Sequence, residues 1–166
     1  MISSEPDFLQ YLDLHHIPYQ RFAHPAVYTC EQAQQFRPKT PGVSTKNLFM
    51  ADKKQVNYYL VMLACEKRLD IRQLRQQLGG AKLHFGSEAR LLEFLGVTPG
   101  AVTVLGLVND IDHQVSLCVD RQIWDQDHFL CHPLVNTSTL LLAKLDLVKF
   151  FELTGHRVHV IDITSA

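Results

Sequence analysis

Long apolar runs are missing from this 166-residue sequence, and no stretch approaches the roughly 20 apolar residues needed to cross a bilayer. The opening, Met1-Ile2-Ser3-Ser4-Glu5-Pro6-Asp7, lacks the basic start and apolar stretch of a secretory signal, so the expected compartment is the cytoplasm, with no membrane contact. Cysteine is scarce. Cys30, Cys65, Cys118 and Cys131 lie far apart with no CxxC pair, which argues against a zinc knuckle or a redox dithiol and predicts reduced, buried thiols. Cys30, at a predicted helix start, is the only mild candidate for a cysteine nucleophile. Walker A, GxGxxG and GxSxG signatures are absent, which disfavours P-loop, dinucleotide-binding and hydrolase-elbow chemistry. Histidines occur at His15-His16, His128, Cys131-His132 and His156-Arg157-Val158-His159, but none shows HExxH spacing, so no metal is expected.

What remains is the composition of a globular protein, with 46% hydrophobic and 20% charged residues. Residues 1–166 are expected to form a single domain. A chain of this size buries roughly two-thirds of its unfolded surface and needs no disulfide or metal to hold it. The formal net charge is −1, but it is unevenly spread. Residues 37–90 carry 11 Lys and Arg against 4 Asp and Glu, a net of +7, whereas residues 91–166 carry 4 against 9, a net of −5. A nearly neutral chain with one basic stretch can present a positive face to phosphates, although such a run is more often only solvated surface.

The pattern predicts a helix over residues 6–15, capped by Ser4, with Phe8, Leu9 and Leu12 on one face. A short extended piece is expected at 19–22, and Thr29-Cys30-Glu31-Gln32 reads as a capping box for a helix ending near Phe36. Strands at 43–51 and 56–64 flank the polar turn Asp52-Lys53-Lys54-Gln55 and predict a hairpin. Asp70 and Ser87 cap two further helices, the first turning Ile71, Leu74 and Leu78 inward. The apolar run 101–108 reads as a strand buried on both faces, followed by strands at 115–119, 129–131 and 137–142. Asp146 caps a helix to about Leu153, and 158–163 is a final strand. Adjacent strands interrupted by helices predict an α+β fold, a mixed and strongly curled, barrel-like β-sheet surrounded by helices.

Three segments could carry chemistry. In Ser44-Thr45-Lys46-Asn47-Leu48-Phe49, Lys46 shares a strand face with Leu48 and Met50, so its ammonium needs a partner, a solvated tip or a ligand phosphate. Asn47 points the other way if the strand is regular. Gly96-Val97-Thr98-Pro99-Gly100 is a rigid turn whose backbone N–H groups can face an anion or a developing oxyanion, although most such turns are only turns. His132-Pro133-Leu134-Val135-Asn136-Thr137-Ser138-Thr139 gathers an imidazole, an amide and three hydroxyls between apolar strands, a set suited to a small polar ligand or to a plain polar loop.

In this order, the three segments resemble the ProX/YbaK family of aminoacyl-tRNA editing domains, and within it the free-standing, alanine-specific prolyl-tRNA editing branch. The resemblance spans nearly the whole chain. It implies a curled mixed sheet with helices around it, and hydrolysis of the ester that joins a wrong amino acid to the tRNA 3′ end, with alanine on proline tRNA as the expected substrate. It implies no metal or organic cofactor. Lys46 matches the family's essential lysine, Gly96, Thr98, Pro99 and Gly100 its glycine loop, and His132, Asn136, Thr137 and Thr139 its last pocket motif, with Asn47 beside the lysine. Lys46, Gly96 and Gly100 are thus the expected catalytic positions, and Asn47, Thr98, Pro99, His132, Asn136, Thr137 and Thr139 the expected substrate-binding ones. The expected partner is the acceptor end of mischarged tRNA, with prolyl-tRNA synthetase a further candidate, and the chain is expected to be a monomer. The same chemistry on a cysteinyl or seryl ester, or a non-catalytic tRNA- or synthetase-binding module, stays open at this stage.

Overall fold

The computed structural model describes residues 1–164. Ser4 starts α1 (Glu5–Leu14) by accepting the Asp7 N–H, and Phe8 and Leu12 are buried on its inner face. Pro18 separates it from β1 (Gln20–Ala23). Thr29 caps α2 (Cys30–Gln35) by accepting the Gln32 N–H. The Gln32 side chain reaches back to the Tyr28 N–H instead of that of Thr29, so the box is shifted by one residue. No residue of α2 is buried.

The expected hairpin is formed by β2 (Val43–Asp52) and β3 (Tyr58–Ala64), paired from Thr45↔Ala64 to Ala51↔Tyr58. Asp52 fixes its turn by accepting from the Val56 N–H and the Asn57 side-chain amide. Asp70 caps α3 (Ile71–Gln77), in which Leu74 is buried, whereas Ile71, expected inside, is exposed. A strand not foreseen from the sequence, β4 (Leu83–Phe85), pairs with the end of β2. Ser87 caps α4 (Glu88–Leu95), and Gly96 at φ 68° stops it.

The apolar run that predicted a strand over 101–108 instead forms two short 3₁₀ turns, Pro99–Ala101 and Val104–Asn109. A continuous buried run has no period to tell strand from helix. Here the Thr103 hydroxyl takes the Leu105 N–H and starts the second turn, and Gly106 lets the backbone lie against Leu95, where a Cβ would come within 3.0 Å. The chain continues through β5 (Val115–Asp120), the single-turn α5 (Arg121–Trp124), β6 (His128–Cys131), β7 (Ser138–Ala143), α6 (Lys144–Thr154) and β8 (Val158–Ile161). Asp146 lies in the first turn of α6 instead of capping it.

The strands form one mixed sheet in the order β1-β7-β6-β2-β3-β5-β8, with β4 on the side of β2. The β2–β6, β3–β5 and β5–β8 pairs are parallel and the others antiparallel. The fold is α+β, with the sheet left open, since β1 and β8 are its ends. The larger core packs α1, α4, α6 and the 3₁₀ turns on one face around Phe8, Leu95, Phe129 and Phe150. A smaller core, including Met50, Val61, Leu63 and Leu74, lies under α3.

Candidate active site

β2 has one continuous neighbour and one interrupted one. Along one edge it pairs with β3 from Thr45 to Ala51. On the other it meets β6 only at Val43 and Ser44, and β4 only from Met50 onward. Between these contacts the strand edge carries no partner strand, and a pocket of about 160 Å³ opens there. Ser44, Thr45, Lys46 and Asn47 line it together. The strand alternation that predicts Lys46 and Asn47 on opposite faces therefore does not separate them, because at a strand edge both faces border the same opening.

The walls come from distant parts of the chain. Tyr28, Cys30, Ala33 and Phe36 line one side, from α2 and the turns at its two ends. Pro99 and Gly100 form a second side, and Leu130, His132 and Thr139 a third, from the ends of β6 and β7. Gly100 has an ordinary backbone, and its need for glycine is one of close approach: a Cβ would stand 3.2 Å from the Tyr28 ring. The Ala101 N–H is taken by the Thr98 carbonyl. Arg37 is anchored across the loop by donating to the Gly42 carbonyl at 2.7 Å.

Burial holds the Lys46 ammonium below the usual lysine value, with Glu31 and Glu66 partly opposing and Arg68 assisting. Burial pushes the His132 imidazole down to about 4, and the nearby His24 adds to this, so His132 is neutral at physiological pH. No carboxylate lines the pocket among the described residues. Nor does any group of three histidines, cysteines or acids gather there in a metal-binding arrangement.

Two of the four cysteines correct the sequence reading. Cys30 and Cys65 form a disulfide on the pocket wall, tying the start of α2 to the end of β3, with Cα atoms 5.7 Å apart across 35 residues of sequence. Spacing along the chain carries no trace of this pairing, which depends on where β3 ends. It also removes Cys30 as a nucleophile. Cys118 and Cys131 are the free, buried thiols, both pushed up to about 12 by burial and therefore unreactive.

Of the residues singled out from the sequence, Lys46, Asn47, Pro99, Gly100, His132 and Thr139 meet at this pocket. Gly96, Thr98, Asn136 and Thr137 do not line it. Gly96 ends α4 against Asn109, and Thr98 precedes the first 3₁₀ turn. Asn136 donates to the Val27 carbonyl and Thr137 accepts the His24 N–H, so both hold the segment that leads into α2. The sequence reading missed His24, Tyr28 and Phe36. His24 stacks on Phe36 at 6.2 Å and its ring lies 6.1 Å from that of His132. The available signal was a second His-Pro pair, His24-Pro25, matching His132-Pro133.

The family model for the aminoacyl-tRNA editing domain matches residues 24–150, which include every residue lining the pocket. The chain belongs to the aminoacyl-tRNA editing domain family. It is accordingly an aminoacyl-tRNA deacylase whose substrate class is charged tRNA. The prolyl-tRNA editing protein ProX of Acetoanaerobium sticklandii is 32% identical to this editing domain over 92% of the chain and 93% of its own length. The prolyl-tRNA synthetase associated domain-containing protein 1 of Danio rerio is 36% identical over 80% of the chain and 73% of its own length. A solved structure described as a candidate trans-editing enzyme for prolyl-tRNA synthetase superposes over both full lengths with a TM-score of 0.71 at 18% identity, a likeness of fold. Among the described residues no helix is long and apolar enough to cross a membrane.

Proposed function

We propose that this single editing domain works in trans on proline tRNA mischarged with alanine and hydrolyses the ester at the 3′ end. The observation that carries this reading is the convergence of Lys46, Gly100, His132 and Thr139 on one small pocket, in a chain that resembles a prolyl-tRNA editing protein along nearly its whole length. The need for such an activity is physical. Alanine is smaller than proline, so a proline-sized site cannot exclude it by bulk, and each missing methylene is worth only about 1–3 kcal/mol. A second site that admits alanine and rejects proline supplies the remaining selectivity.

In this reading Lys46 fixes the terminal phosphate or ribose and holds the ester. Gly100 donates its N–H to the oxyanion, since Pro99 has none and that of Ala101 is already used. Gly96 and Thr98 set the geometry of that loop, and Asn136 and Thr137 hold the opposite wall. Asn47 and neutral His132 contact the ribose or the aminoacyl group. Water attacks directly or through a ribose hydroxyl of the tRNA, and no covalent enzyme intermediate forms. The enzyme acts as a monomer in the cytoplasm, where charged tRNA is used, with prolyl-tRNA synthetase as the partner it follows.

The test is deacylation of alanyl-, cysteinyl- and prolyl-tRNA(Pro) by the purified protein. Loss of the alanyl ester alone is expected. Preferential loss of the cysteinyl ester would move the substrate assignment, and hydrolysis of none would leave a tRNA-binding module. Replacing Lys46 with Ala is expected to lower alanyl deacylation by at least about a hundredfold while the folded state persists. Full activity in that variant would remove Lys46 from the mechanism.

A further inference from the structure

Thr139, on the pocket wall, is hydrogen-bonded to His24, which lies behind that wall, and the direction of the bond can be worked out. His24 Nδ1 lies 2.8 Å from the Pro25 carbonyl, an oxygen that only accepts, so Nδ1 carries the proton. In the neutral ring Nε2 is then an acceptor, and it lies 2.8 Å from Thr139 Oγ1. The Thr139 hydroxyl therefore spends its hydrogen on His24, and its free lone pairs are available to the pocket that it lines. The ring is held in this pose. The Phe36 ring stacks on it, tilted by only 14°, and the His24 N–H is tied to the Thr137 carbonyl.

An aminoacyl ester differs from a simple ester by its α-amino group, a cluster of N–H donors that carries positive charge when protonated. Among the described residues no carboxylate lines the pocket, so the acceptors that line it for that group are neutral. An ordinary hydroxyl can turn its hydrogen toward such a donor and repel it. One whose hydrogen is already committed cannot.

We infer that His24 is a positioning residue for deacylation: by accepting the Thr139 hydroxyl proton it presents Thr139 Oγ1 as a fixed acceptor for the substrate α-amino group. This rests on the deacylase reading above, and the ligand chemistry it assigns is a primary α-amine beside an ester carbonyl. The bond between His24 and Thr139 was not visible in the sequence, because 115 residues separate the two.

The experiment compares two esters of the same tRNA, alanyl and propionyl, the second having hydrogen in place of the amino group. For each protein the ratio of kcat/KM on the two is taken after correction for their spontaneous hydrolysis. His24→Phe and Thr139→Val are expected to lower this ratio by about tenfold or more, the scale of one lost hydrogen bond to a charged group. Thr139→Ser, which keeps the hydroxyl, is expected to retain it. His24→Gln, which places an amide near the position of Nε2, should retain it in part. Equal losses on both esters in His24→Phe and Thr139→Val would mean that the pair only supports the wall, and would overturn the assignment, as would an unchanged ratio. A wild-type protein that hydrolyses neither ester would instead overturn the deacylase reading itself. Because each ratio is internal to one variant, partial loss of folded protein does not affect it.

Discussion

At the scale of single residues, the two loop glycines serve different ends. Gly96 sits at φ 68°, and a Cβ there would meet the Asn109 side-chain amide at 2.5 Å. That amide already bonds the Ile2 and Leu95 carbonyls, so it has little freedom to move. Replacing Gly96 with Ala is therefore expected to cost about 1–3 kcal/mol of stability, read as a lower denaturation midpoint. At Gly100 the obstructing atom belongs to the ring of Tyr28, a residue that is 71% exposed and able to swing away. Gly100→Ala should thus melt close to the parent and lose deacylation, a contrast that calorimetry and a hydrolysis assay on the same two variants would resolve. His132 supplies a pH signature. Its folded-state pKa near 4 lies below the 6.5 of an unperturbed imidazole, so between these values the unfolded chain binds a proton that the folded one does not. Above pH 6.5 the group contributes nothing to the pH dependence, and stability falls as pH drops from about 6.5 toward 4. Denaturation curves across that window should show a smaller loss in His132→Gln.

At the scale of elements, α2 stands apart. It forms one wall of the pocket yet buries none of its own residues, so packing does little to hold it. What fixes it are its Thr29 cap, the stack of Phe36 on His24 and the Cys30–Cys65 bridge. In a reducing compartment such bridges are mostly transient, so the reduced form is the informative comparison. Reduction, or a Cys30→Ser and Cys65→Ser pair, is expected to speed amide exchange across residues 28–37 while β2 and β3 stay protected. Closing a loop of this length is worth about 2–4 kcal/mol, so the midpoint should fall as well. Unchanged exchange in α2 would show that its cap and stack suffice. This is also the scale at which the sequence was most and least informative. Ser4, Thr29, Asp70 and Ser87 announced four helix starts, because a capping side chain acts on backbone only two or three residues away. The run at 101–108 misled, since burial from all sides erases the periodicity that separates strand from helix. β4 and α5, with three and four residues, are too short to show any period.

At the scale of the whole molecule, the site was legible as three separated segments and not as a surface. Lys46, Gly100, His132 and Thr139 were each marked by an unusual local chemistry, and the sheet order brings them together. Phe36 and the disulfide gain meaning only from contacts across the fold, and the His24-Pro25 pair, the one local sign of His24, says nothing of its partner Thr139. The uneven charge has its consequence here too. Lys67 is committed to a buried pair with Asp120, and Arg90 to Glu93. Arg68, exposed and close enough to disfavour the charge on Lys46, has no such acidic partner among the described residues. Affinity for tRNA should fall steeply with salt, and Arg68→Ala should lower the slope of log K against log salt by about one contact. A slope unaffected by that change would place the acceptor stem elsewhere.

The thin packing of α2 has a consequence for how such an enzyme can be altered. The floor of the pocket is the edge of a strand that is paired along β3 and whose continuation, Phe49 and Met50, enters the two cores. The wall is a helix whose side chains answer to no core. A pocket-lining residue of that helix such as Ala33, outside the cap, the Phe36 stack and the disulfide, is therefore free to vary without unfolding the protein, while the floor stays fixed. A library confined to that one helix would sample new aminoacyl preferences at almost no cost in folding. A lineage drifting in the same positions could trade one mischarged amino acid for another by the same route.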